Sequence, residues 1–261
     1  EGVCQVDIRL QFPSTDRVTA NLIDLTWDHV SLYRAGYPTR DQMFQPSLAI
    51  PADWNYGSAL QTGKRDGEKI TFKPVPFNTL VDSPVIAGKY FREIDLTPKG
   101  SSVHRYLDMV GDSAAAIAIS DQQSAGFHHR IEQAQALFHS HHYDSYHLLL
   151  TLSDHTAKGG LEHHQSSDDQ EPELAFVTPS MNAETGATLA HEMTHSWNGK
   201  YRRPAGLATR NYQDPMAGDL LWVYEGLTSY WAEVLDVRSG LDTVDDVCRI
   251  VFDASYASMS R

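Results

Sequence analysis

The chain has 261 residues, 41% of them hydrophobic and 21% charged, with a net charge of −13, an ordinary balance for a globular protein with one large core or two modest ones. The acidic balance argues against a nucleic-acid partner, which needs clustered Lys and Arg, and no apolar run approaches the roughly 18–20 residues of a membrane span. The two cysteines, Cys4 and Cys248, exclude a disulfide framework and are not expected to pair.

The first residue is Glu1, and no basic-then-apolar leader precedes the first strand pattern. The chain is therefore read as an excised or processed fragment whose compartment stays open. Val6, Ile8, Leu10 and Phe12 alternate with Asp7, Arg9 and Gln11, the period-2 pattern of a half-buried strand, and Ile70 and Phe72 repeat it between Lys69, Thr71 and Lys73. Pro and Gly recur too often before residue 110 for long helices. A sandwich-like β domain over residues 1–112 is the expectation.

The pattern then changes. Phe127, Ile131, Ala134 and Phe138 fall at helical spacing and predict an amphipathic helix over residues 124–140. Residues 146–152 read as a strand, residues 157–170 as a polar, Gly-containing stretch, and residues 174–177 as a second short strand. Polar helix starters over residues 180–185 open a helix running to Trp197, and residues 220–235 read as another. Asp242 or Thr243 caps a last helix with Val244, Val247, Val251 and Ala254 inward. Residues 113–261 are thus an α/β unit, and the fold class is α+β.

The chemistry concentrates in His191-Glu192-Met193-Thr194-His195. On a helix, positions i and i+4 share a face, so both imidazoles reach one cation. Glu192 then faces a water at that cation and accepts its proton as general base. The pentapeptide alone is not decisive; its place inside a helix, with Leu189, Met193 and Trp197 available for packing, strengthens it. A catalytic zinc needs a third protein ligand, and Glu225 is the candidate: a lone acid in an apolar run, where an unpaired buried carboxylate is costly and a dication offsets it. Gly226 beside it is expected to admit another helix closely. Glu233 is the rival, rotated by roughly 80° around the helix. The spacing of these residues therefore points to one Zn²⁺ per chain held by His191, His195 and Glu225.

Further strings resemble one family. His195-Ser196-Trp197-Asn198-Gly199-Lys200 with Arg203-Pro204, Leu221-Trp222-Val223-Tyr224-Glu225-Gly226-Leu227-Thr228-Ser229-Tyr230, Gly159-Gly160-Leu161-Glu162-His163 and Leu80-Val81-Asp82-Ser83-Pro84 are similar to segments of the glycyl aminopeptidases, family M61, related to the thermolysin-like gluzincins. The resemblance implies a thermolysin-like catalytic domain, here C-terminally truncated, since family members are longer and carry further helices and a PDZ domain. It implies an aminopeptidase acting on peptides with a free N-terminus, with Gly or Ala preferred. Gly159 and Gly160 would belong to an edge strand that aligns substrate, and Glu162 would grip the α-amino group. The tyrosine that stabilises the oxyanion in related enzymes is expected beyond Arg261. Tyr224 and Tyr230 are read as packing residues. The His139–His142 run, His147 and His155 are read as surface or helix-end groups. His163 and His164 are left undecided, and Lys200, Arg202 and Arg203 are expected to neutralise acids or hold a loop. An endopeptidase, or a non-catalytic binding module that retains the fold, are the competing functions.

Overall fold

The computed structural model describes residues 17–249. The alternation over residues 6–12, Cys4 and the last part of the final expected helix lie outside them, and Cys248 is exposed and forms no disulfide among the described residues. The first part is built of short strands: Leu22–Leu25 (β1), Met43–Phe44 (β2), Ser47–Ala49 (β3), Asn55–Gly57 (β4), Thr62–Asp66 (β5), Lys69–Phe72 (β6) and Val75–Pro76 (β7), then the helix Phe77–Val81 (α1) and Val85–Gly88 (β8). They form three small antiparallel sheets, ordered β1-β8-β4, β3-β6-β5 and β2-β7. Ile70 and Phe72 point into a core with Trp27, Phe77, Leu80 and Val85, as their alternation requires.

The second part contains Tyr90–Asp95 (β9), His104–Gly111 (β10), Asp121–Phe138 (α2), Ser145–Leu152 (β11), Gly159–Glu162 (β12), Ser166–Glu171 (β13), Pro179–His195 (α3), Leu221–Ser239 (α4) and Val244–Val247 (α5). One five-stranded sheet runs β12-β13-β11-β10-β9. Its middle strands are parallel and both edge strands antiparallel. The helices cover one face, where Leu107, Met109, Leu148 and Leu150 meet Phe127, Ile131, Leu189 and Met193. The opposite face meets β1-β8-β4 through Leu22, Ile86, Val110 and Leu149. The division expected between residues 112 and 113 falls after β10, so strands from both sides of it build this sheet.

Two local expectations are corrected. The polar stretch over residues 157–170 holds two strands, β12 and β13. β13 is buried from Ser166 to Gln170 although it carries no apolar side chain. Some of its polar groups find partners: Asp168 accepts from Arg17, which also pairs with Asp24 at 2.6 Å, and Asp169 accepts from Ser167 at 2.6 Å, while Ser166 Oγ, Asp168 Oδ1 and Asp169 Oδ1 have none among the described residues. Residues 174–177, read as a strand, form turns instead; Ala175 and Phe176 enter the helical core singly rather than alternating along a ladder.

The helices match their periodicity with shifted ends. Ser120 and Gln123 form a capping box that starts α2 earlier than expected. α4 continues to Ser239 and stops at Gly240, whose φ of 77° is the left-handed stop that favours glycine. The Thr243 side chain accepts from Asp246 N–H and caps α5. Arg130 of α2 and Asp236 of α4 form an ion pair buried between the helices.

Candidate active site

The helix α3 presents His191 and His195 from one face, and α4 brings Glu225 to them. The two Nε2 atoms lie 3.0 Å apart, and Glu225 Oε2 lies 3.3 Å from His191 Nε2 and 3.4 Å from His195 Nε2. Three donors on a tetrahedral cation at the zinc bond lengths of about 2.0–2.1 Å would be separated by roughly 3.3 Å, so this triangle has the size of one tetrahedral face. A second triplet, His191, Glu192 and His195, has donor atoms within 4.8 Å of one another. The closer triangle containing Glu225 is the better ligand set, and it leaves Glu192 free beside it. Glu233 does not join either group among the described residues.

Both rings are oriented from behind, as metal-binding imidazoles usually are. His195 Nδ1 lies 3.0 Å from Asn198 O and 3.2 Å from Thr228 Oγ1. Ser229 Oγ is 3.4 Å from His191 Nδ1. Asn198 in turn donates through Nδ2 to Val223 O, Tyr224 O and Thr228 Oγ1 at 3.0–3.2 Å, tying the loop after α3 to the first turns of α4. Burial and the neighbouring His195 ring hold His191 below its usual pKa, with Glu225 opposing; a neutral ring is the form that ligates.

The environment of Glu225 differs from expectation. Its side chain is 50% exposed, because the outer face of α4, with Leu221, Trp222, Leu227 and Tyr230, faces outward. The apolar run therefore does not bury the carboxylate, and the closeness of two imidazoles is what marks it. Gly226 likewise meets nothing within 4 Å, so no helix approaches it among the described residues.

Glu192 is buried, at 8% exposure. Its carboxyl is pushed up to about 8 by burial and by the charges of Glu162 and Glu225, with Lys200 acting the other way. Gly160 lies directly against it: a Cβ there would come within 2.5 Å of Glu192 Cγ and Oε1. Gly159 has a φ of 141°, which L side chains rarely adopt. Both glycines belong to β12, an edge strand of the five-stranded sheet.

Glu162 closes β12. The Tyr224 hydroxyl donates to its Oε1, so Tyr224 does more than pack, although its ring also lies 4.6 Å from that of His195. Burial opposes the Glu162 charge, but Lys200 and the Tyr224 hydrogen bond outweigh it and hold the carboxyl below its usual pKa. Tyr230 is exposed and meets Trp231 edge-on.

Lys200, expected to neutralise an acid, and His163 and His164, left undecided by the sequence, lie around Glu162. Lys200 pairs with Asp82 at 2.9 Å, His163 Nδ1 lies 3.1 Å from Asp82 Oδ1, and the His164 N–H donates to Asp82 Oδ2 at 2.9 Å. A cleft of about 1050 Å³ continues past Glu162, lined by Asp82, Lys200, Arg203, Arg40 and Tyr212 among others. Of the other histidines, His139 ends α2 in the left-handed region, and His147 pairs with buried Asp108 at 2.7 Å.

Two family models match the chain, one described as the peptidase M61 N-terminal domain over residues 6–89 and one described as M61 glycyl aminopeptidase over residues 184–258. Among solved structures, an aminopeptidase N family protein from Idiomarina loihiensis is similar over 85% of this chain, with a TM-score of 0.70 and 19% identity. At that identity the likeness concerns the fold, and the chain spans 38% of that relative's length. No curated protein matches. Models for two parts of one family match in order along a mixed α/β chain with a β-rich first part, and the chain belongs to the M61 glycyl aminopeptidase family.

Proposed function

We propose that the chain is the core of a zinc aminopeptidase that hydrolyses the first peptide bond of peptides, with small N-terminal residues such as Gly or Ala preferred. The observation that carries this reading is the 3.0–3.4 Å triangle of His191, His195 and Glu225 beside an edge strand that ends in Glu162. The preference for Gly or Ala rests on family membership alone. The unit beginning at β9 is, in this reading, a thermolysin-like catalytic domain, and the division of the chain lies near residue 89, where the N-terminal family model also ends.

His191, His195 and Glu225 would hold the zinc, which supplies Lewis acidity by polarising a peptide carbonyl and acidifying water. The other roles belong to the chain itself. The exposed edge of β12 pairs with the substrate backbone, running antiparallel to it so that the N-terminus reaches Glu162. The Glu162 carboxylate takes the α-ammonium through charge-assisted hydrogen bonds. Glu192 takes a proton from the attacking water as the C–O bond forms, then delivers it to the amide nitrogen as the C–N bond breaks. Held this way, the first carbonyl and the water meet in a fixed geometry.

A matched pair of peptides, one with a free N-terminus and one N-acetylated, tests the reading with and without a chelator. Cleavage of the free peptide alone, abolished by chelation, is expected. An endopeptidase is the second reading, favoured by the cleft that continues beyond Glu162. Equal cleavage of both peptides would establish it.

A further inference from the structure

The amine anchor has a rival cation built into its own surroundings. Lys200, in the loop after α3, is the largest favourable charge acting on Glu162, and its side chain is only 12% exposed. Both residues line the same cleft, and a lysine there would fill the place of the substrate's α-ammonium if it swung onto Glu162. It does not, because its ammonium is committed to Asp82 at 2.9 Å. Asp82 comes from the other part of the molecule, just past α1, and the same carboxylate also fastens the residues that follow Glu162: the His163 ring at 3.1 Å and the His164 N–H at 2.9 Å. Ser196, next to the ligand His195, donates to His164 O at 3.1 Å and secures the same turn from the α3 side.

Resting on the aminopeptidase reading, we propose that Asp82 is a positioning residue that holds Lys200 off Glu162, so that the β-rich first part of the chain keeps the amine anchor vacant for substrate. Two requirements meet in this arrangement. Lys200 acts on Glu162 through its charge, while its ammonium is directed at Asp82, which also takes the His163 ring and the His164 N–H and is held far below the usual carboxylate range despite its burial, by Lys200 and His163. Removing the Asp82 charge frees Lys200 to turn towards Glu162, which lines the same cleft.

The test reads affinity, so it does not depend on turnover. Alanine hydroxamate and N-acetylalanine hydroxamate both carry a zinc-chelating group, and only the first carries an α-ammonium. Their dissociation constants are measured by calorimetry on the zinc-loaded chain and on Asp82→Asn, Lys200→Met and the double variant, with zinc content as a control. The unsubstituted chain is expected to prefer the free amine. Asp82→Asn is expected to lose at least tenfold of that preference at unchanged affinity for the acetylated compound, and the double variant to regain it, because the competing ammonium is gone. A loss that the double variant does not restore would be structural and overturns the proposal, as does a preference that Asp82→Asn leaves intact. Equal binding of the two compounds by the unsubstituted chain overturns the aminopeptidase reading itself. If Asp82→Asn does not fold, Asp82→Glu decides: a retained preference supports the hold on Lys200, and a lost one overturns it.

Discussion

The Tyr224 hydroxyl donates to Glu162 Oε1, joining the residue just before Glu225 to the end of the β12 edge strand. Burial and the Glu162 charge push the phenol far above its ordinary pKa, so it remains a donor at any working pH. Because the Tyr224 ring also rests on His195, one side chain sets both an imidazole proposed to hold the metal and the carboxylate proposed to take the amine. Tyr224→Phe keeps the ring and removes the donor. A hydrogen bond to a charged group contributes about 1.5–3 kcal/mol, so KM for free-amine peptides should rise by roughly tenfold or more at unchanged zinc content. An unchanged KM would mean that Lys200 alone sustains the anchor.

Glu225 and Glu192 should separate metal from chemistry. Glu225→Ala removes one corner of the ligand triangle and should release zinc on dialysis. Glu192→Gln keeps all three ligands and should retain zinc while turnover falls by about 10²–10⁴. Zinc content by elemental analysis beside peptide turnover distinguishes the two, and near-normal turnover in Glu192→Gln would transfer the proton step to another group.

Gly160→Ala should act on the base without touching a ligand. The added carbon would lie 2.5 Å from Glu192 Cγ, so the carboxylate must move. A displacement near 1 Å is enough to lower turnover by about 10²-fold. Zinc affinity should stay the same; a variant with full activity would show that Glu192 works from another rotamer.

Asp236→Ala tests the buried pair with Arg130. The pair is enclosed between α2 and α4 and made through Arg130 Nη2, while Arg130 Nε and Nη1 have no hydrogen-bond partner among the described residues. Removing the carboxylate strands a guanidinium in the core, which costs about 3–5 kcal/mol and should lower the melting temperature by roughly 10 °C. A fall below about 2 °C, followed by circular dichroism, would mean that water reaches Arg130.

Asp169 makes stability depend on pH in a defined direction. Burial first, and then the charges of Glu192 and Asp168, raise its carboxyl well above the ordinary 3.8. The folded state therefore prefers the protonated form: the group's contribution is fully present below its unfolded pKa and is lost as pH rises through the folded one. Asp169→Asn should flatten that decline, so its melting temperature should gain on the parent's as pH increases. Parallel curves for the two proteins across that range would exclude Asp169 as the source.

Legibility followed how locally the physics is written. His191, Glu192 and His195 were readable because one turn of helix brings them together, whatever the rest of the chain does. The burial expected of Glu225 does not hold, since an apolar run on a helix does not reveal which face is covered; its carboxylate is half exposed and lies beside two imidazoles. β13 was missed because Ser-Ser-Asp-Asp-Gln has neither alternation nor β-branched side chains, and it is a strand only because neighbouring strands and Arg17 satisfy it. The ties of Asp82 to Lys200, His163 and His164 had no local signal at all, being made between distant parts of the chain. Tyr224 was dismissed as packing because its partner comes from another element.

The Arg17–Asp24–Asp168 contact bears on how such a protein can be inherited. Asp24 and Arg17 belong to the first part and Asp168 to a strand inside the five-stranded sheet, and Gln170 of that strand also donates to Asp24. A recombination event that gave the second part a foreign β-rich companion would leave Asp168 enclosed without its guanidinium, a defect comparable in size to breaking a buried ion pair. Selection should then pass the two halves on together, with correlated exchanges at positions 17, 24 and 168 among descendants, rather than letting either be borrowed alone.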